Sequence, residues 1–263
     1  VFDGSGELGK LTFTPIRAVE GDDSSEITGY SVTTRDTSIS GALTIPSKYN
    51  GYSVTAIGNG AFANCKSLTS VVIPDSVTWI GYKAFYDCDS LTNVVIGSGV
   101  AELTSSNFAD CDSLKEFNVP ATVEQVSASV IRDCSSLERI NVDANNPNYS
   151  SIDGVLFDKP AEYLLTYPDG KAGAYTVPSS VIDIQGAAFD NASKLTSVVI
   201  PNSVTYINSN TFINCTALNN VVLSENITDI DSYAFENCRS LTEINIPATT
   251  VPTFKVGKAL KDA

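Results

Sequence analysis

Apolar and polar positions in this chain fall into one phrase that keeps returning. In Leu68-Thr69-Ser70-Val71-Val72-Ile73-Pro74 the apolar residues are largely β-branched and the run stops at proline, which predicts a short strand. Val77 and Ile80 supply a second apolar pair on the return path, and Gly81 permits a turn. Ala84-Phe85 followed by Cys88 has the spacing of one helical or 3₁₀ turn facing inwards. The phrase recurs every 23 residues, at Phe62, Phe85 and Phe108 and again at Phe189, Phe212 and Phe235. A fixed period of this length is the mark of stacked repeats, each burying its apolar side against its neighbours.

The proline column sets the count. Pro46, Pro74, Pro120, Pro178, Pro201 and Pro247 fall in register, with Gly97, Asp143 and Ser224 in the same slot elsewhere, giving nine units. The first unit is five residues too long, through Lys48-Tyr49-Asn50-Gly51-Tyr52, and the fifth carries 35 extra residues between Asp143 and Pro178. The expected organisation is an N-terminal cap over 1–37, a solenoid over 38–248 with an insertion at 144–177, and a C-terminal cap or cut end over 249–263. Within the cap, Leu11-Thr12-Phe13 and Tyr30-Ser31-Val32 read as strands. Parallel strands are expected near Val71, Val94, Phe117, Ile140, Val198, Val221 and Ile244.

The consensus Leu-x-x-Val-x-Ile-Pro-x-Ser-Val-Thr-x-Ile-Gly-x-x-Ala-Phe-x-x-Cys, clearest over 61–96 and 188–247, resembles the BspA-like branch of the leucine-rich repeat family. The insertion, with Asn146-Pro147-Asn148-Tyr149 and Tyr175-Thr176-Val177-Pro178, is similar to a variant of that family. Departures are Ile131 at a Phe position and Ala192 at a Cys position. The resemblance implies a right-handed solenoid with a parallel β-sheet on one face and short strands or helical turns on the other. It also implies a secreted or surface-attached bacterial protein that adheres to host-matrix or cell-surface proteins or glycoproteins, without catalysis or cofactor. A structural spacer in a larger surface protein is the alternative.

Composition narrows the chemistry. A formal charge of −14 over 263 residues disfavours nucleic acid and anionic membranes, whose binders cluster Lys and Arg. No apolar run approaches a membrane span. The chain begins at Val1 and contains no methionine, so a mature or trimmed fragment is expected. With no histidine, Ser–His, Cys–His and His-metal centres are excluded, and no Gly-rich phosphate loop occurs. Catalytic, cofactor and metal residues are therefore expected to be none. The six cysteines, Cys65, Cys88, Cys111, Cys134, Cys215 and Cys238, share one slot per unit. That favours buried thiols over bridges, although stacked Cα atoms would lie near the lower end of the disulfide range. An Asn or Asp precedes each such slot: Asn64, Asp87, Asp110, Asp133, Asn191, Asn214 and Asn237. A metal ladder is one reading, but interchange of amide and carboxylate favours a side chain bonding backbone N–H groups in the turn. Asp143-Ala144-Asn145-Asn146 hints at a calcium loop, which Pro147 breaks.

The third and fifth strand positions alternate away from the core. The resulting candidate surface is Val72, Asn93, Val95, Glu116, Asn118, Arg139, Asn141, Val199, Asn220, Val222, Glu243 and Asn245, with Glu116 beside Arg139 as a cross-strand pair. It reads as a contact face with a polar centre flanked by two valine pairs; alternatively, β-branched residues merely suit exposed strands. The insertion offers a second candidate in Tyr149, Tyr163 and Tyr167, unless its rings form the small core of a projecting hairpin.

Overall fold

The computed structural model describes residues 7–104 and 106–246, with the backbone of 255–256. Pro247 and, apart from 255–256, the C-terminal cap or cut end expected over 249–263 lie outside the described residues, as do residues 1–6 and 105. The chain divides into two compact units. The first holds the chain up to Cys134 together with Asp143–Pro147, and the second holds Ser135–Val142 and everything from Asn148. In both, the repeats are turns of a β-solenoid with parallel sheets and little helix.

In the first unit the phrase forms strands where its β-branched residues require them. Ser40–Thr44, Ser67–Ile73 and Asn93–Ile96 make one parallel sheet, with Leu43 opposite Val71 and Val71 opposite Val94. Glu116–Val119 is the corresponding strand one turn later. A second series of short strands runs along the return path. Ile27–Thr34 pairs parallel with Tyr52–Ile57, which pairs parallel with Trp79–Ile80; Glu102–Leu103 pairs with Gln125–Val126. The two strands expected near the N-terminus are present as Leu11–Arg17 and Ile27–Thr34, paired antiparallel with Phe13 opposite Val32. The five surplus residues of the first repeat form a tight hairpin. Lys48–Tyr49 folds back on Tyr52–Ile57 through Asn50 and Gly51, both at positive φ (49° and 85°), the conformation an Asn-Gly turn supplies.

Between the two strand series the rings of Phe62, Phe85 and Phe108 stack, with centroids 5.1 Å apart and planes within 8° and 4° of parallel. All three are fully buried, as are the inward-facing strand residues Leu43, Leu68, Val71 and Phe117, with Val94 nearly so. The stack repeats at the strand spacing because the coil does, so each ring's two faces are covered by its neighbours.

The second unit repeats this plan from a different start. Tyr149–Ile152, Val155–Asp158 and Tyr163–Thr166 form an antiparallel meander, and Tyr163–Thr166 then pairs parallel with Asp183–Ile184. Gly173–Thr176 heads a parallel sheet that continues through Leu195–Val199, Asn220–Val222 and Glu243–Asn245. Short return-path strands pair Tyr206–Ile207 with Asp229–Ile230 and the latter with Lys255–Val256. The insertion is therefore not a hairpin projecting from the repeat. It builds a turn of the coil, and Tyr167 stands in the ring column, stacked on Phe189 at 4.8 Å and followed by Phe212 and Phe235.

Candidate functional site

The solvent side of the parallel sheets is a regular surface that carries both exposed apolar and hydrogen-bonding side chains. Strand alternation places it: Val71 and Val94 point in and are buried, so Val72 and Val95 point out. In the first unit Val72 lies opposite Val95 and Ser70 opposite Asn93. Val95 is 46% exposed, and the Asn93 amide donates to Ser70 Oγ at 3.2 Å. Glu116 and Asn118 extend outwards from their own strand around buried Phe117.

The second unit has the same motif. Val199, 38% exposed, lies opposite Val222, and Val222 lies opposite Asn245. The Asn245 amide donates to Asn220 Oδ1 at 3.0 Å, with Glu243 exposed on the same strand. Arg139 is exposed and Asn141 half-buried. Their strand, Arg139–Val142, lies along the insertion, where Ile140 N donates to Gly154 O at 2.8 Å and Ser151 Oγ to Ile140 O at 2.6 Å. Gly154 sits at φ 76°, and a Cβ built there would come within 3.1–3.2 Å of the Arg139 stem, so only glycine fits this approach.

Of the insertion residues, Tyr163 is exposed and Tyr149 half-buried. Tyr167 is corrected: it is 1% exposed, part of the interior ring column, and its hydroxyl donates to Lys171 O at 3.3 Å. Its burial removes it from any contact surface. The face also includes residues the repeat phrase did not flag. Ala42 and Thr44 lie opposite Ser70 and Val72, and Ala174 and Thr176 lie opposite Ser197 and Val199, all four exposed. The five-residue offset hid the first pair and the insertion hid the second.

The other sequence candidates resolve into structural roles. Every residue of the Asn/Asp column is in the left-handed region, with φ between 57° and 62°. Asn and Asp tolerate that backbone better than other L-residues, which explains the column without a metal. Its side chains join turn to turn instead of bonding their own backbone: Asn237 donates to Asn214 Oδ1 at 2.9 Å, and Lys66 pairs with Asp87 and with Asp89. Asp110 lies between like charges, and burial together with Asp133 and Asp87 pushes its carboxyl above the usual range. At the suspected calcium loop, Asp143 Oδ1 accepts from Asn145 N at 2.8 Å, and the fully buried Asn146 donates to Pro120 O and Val123 O at 2.8 and 2.9 Å. Among the described residues no cluster of three or more acidic or thiol groups could hold a metal, and no helix is long and apolar enough to cross a membrane.

The fold agrees with what the chain is similar to. The model of the BspA type leucine rich repeat region matches in six copies, over residues 41–159 and 171–255. The pneumococcal vaccine antigen PcpA is similar in structure, with 18% identity over 95% of this chain and 91% of that one and a TM-score of 0.58. A leucine-rich repeat protein from Eubacterium ventriosum is similar at 18% identity over 88% and 94%, TM-score 0.49. One from Bacteroides capillosus shares 31% identity over 52% of this chain and 96% of that one, TM-score 0.43. No curated protein matches. With the family model covering well over half its length, the chain belongs to the BspA-type leucine-rich repeat family.

Proposed function

We propose that the chain is a non-catalytic adhesion module displayed outside a cell, engaging a matrix or cell-surface protein or glycoprotein through the solvent side of its parallel sheets. The observation that carries this is the pairing of an exposed with a half-buried valine on the outward face of each unit, Val95 with Val72 and Val199 with Val222, bordered by the Asn93–Ser70 and Asn245–Asn220 hydrogen bonds. Isolated exposed apolar residues are ordinary; side-by-side pairs on a flat strand surface give a partner contiguous area to desolvate. The fold likeness to a pneumococcal antigen supports a surface setting.

The test is a binding panel of immobilised matrix and cell-surface proteins, read with the natural chain and with Val95→Glu/Val199→Glu. Saturable binding to a panel member, lost in the double variant with its melting temperature unchanged, supports the proposal. Silence across the panel assigns the chain to a spacer role instead.

A further inference from the structure

Trp79, the one tryptophan of the chain, lies in a return-path strand of the first unit and is 49% exposed. Tyr82, three residues on, is 54% exposed. Lys83 Nζ stands 5.5 Å from the Tyr82 ring centre and 4.0 Å from that of Tyr86, which ties the two tyrosines through one cation, with Trp79 on the strand just before them. The repeat does not ask for aromatic residues here. At the Trp79 position other turns mostly carry non-aromatic residues, Ala56, Glu102, Gln125, Asp183 and Asp229, with Tyr206 the one other aromatic. At the Tyr82 position they carry Asn59, Ser209 or Ser232, so only this turn places aromatic residues at both positions.

The turn before this one is low wherever the group stands high. Ala56 lies opposite Trp79, and Gly60 N donates to Tyr82 O at 2.8 Å. Asn64 N donates to Tyr86 O at 2.9 Å, which puts Ala63 beside that ring, and Ala109 flanks it from the following turn through Asp87 N to Ala109 O at 3.0 Å. A Cβ built on Gly60 would meet nothing within 4 Å, so the ground beside Tyr82 is open. The rings form a ridge whose surroundings are small or polar: Asn59, exposed, accepts from Tyr82 N at 2.8 Å, and Glu102 is exposed at the next Trp79 position.

We propose that this ridge is a binding site for neutral glycans, distinct from the sheet face and independent of the reading given above for it. Flat aromatic faces with polar edges suit the C–H face of a pyranose, whose hydroxyls would bond to Asn59, Lys83 and Glu102. The neighbours named here are small or carry hydrogen-bonding groups, with exposed Asn59 and Glu102 at the edges, so polar edges border the rings. Asp87 and Asp110, on successive turns near Tyr86, and the net charge of −14 disfavour sulfated or sialylated chains.

Because Trp79 is unique, intrinsic fluorescence reports this site alone. The experiment titrates the chain with neutral gluco-, galacto-, manno- and N-acetylglucosamine oligosaccharides, with a sulfated oligosaccharide as control. Calorimetry then reads Trp79→Ala, Tyr82→Ala and Val95→Glu. The expected result is a saturable fluorescence change with a neutral oligosaccharide. Affinity should fall roughly tenfold or more on loss of either ring, at unchanged melting temperature, and be intact in Val95→Glu. A fluorescence change with none of the neutral sugars, with the sulfated one alone, or only with a protein partner overturns the proposal. So does sugar binding that survives both ring deletions.

Discussion

Cys88 Sγ lies 3.2 Å from Phe62 O, and the same approach recurs from Cys111 to Phe85, Cys134 to Phe108, Cys215 to Phe189 and Cys238 to Phe212, at 3.0–3.3 Å. The thiol is a small, weak donor to a buried carbonyl of the preceding turn, a task that a hydrophobic residue of similar size cannot perform. All six cysteines are buried. A thiol reagent should therefore react slowly with the native protein and reach six equivalents only on denaturation, and reductant should leave the melting temperature unchanged. Burial holds the Cys88 thiol above its ordinary pKa, and a neighbouring thiol together with burial does the same for Cys111 and Cys215. The folded chain thus keeps protons that the unfolded chain releases above pH ~8.5. For Cys88 this stability is complete below that pH and is lost as pH rises, by up to about 1.4 kcal/mol per unit, while Cys238, lowered by its hydrogen bond with Cys215, offsets part of that pair's share. Thermal melts between pH 7 and 10 should show the decline, and a flat profile would contradict it.

Ring stacking and left-handed turns are what convert the repeated phrase into an element. Phe85 is fully buried between two stacked rings, so Phe85→Ala should cost ~3–5 kcal/mol in urea unfolding, whereas Thr69→Ala on the open face should cost less than ~0.5 kcal/mol. Similar losses at the two sites would refute the assignment of inner and outer faces. At Asn64, with φ 62°, Asn64→Gly should be neutral within about 0.5 kcal/mol, while Asn64→Val should cost roughly 1–2 kcal/mol for a β-branched residue forced into the left-handed region. Equal stability of the two variants would show that backbone strain does not govern the column. The identity of this column was readable in the sequence but its cause was not, because φ is invisible there and the side chains bond across turns. Asn107 was invisible for a related reason: its amide reaches Ile80 O and Gly81 O, 27 and 26 residues back, at 3.2 and 2.8 Å.

At the scale of the whole chain, the period gave away the repeats because every turn solves the same packing problem with the same residue types. The strands around Val71, Val94, Val198 and Val221 lie where that period puts them, paired parallel and in register. What broke the period was legible only as alternatives, a contact surface or a projecting hairpin, because Tyr167 is 22 residues before Phe189 instead of 23 and the strand before Pro178 has Ala172 and Tyr175 where the phrase has leucine and valine. The outward face was legible from alternation alone, but no residue pattern names what touches it. The direct measurement is site-specific photo-crosslinking, with a photoreactive phenylalanine analogue placed at Val95, at Val199, or at exposed Thr228 on the return path, in the presence of a partner that binds in the panel. The account predicts covalent adducts from positions 95 and 199 and none from 228. Adducts from 228 alone, or no adduct from either valine position with the partner bound, would contradict it.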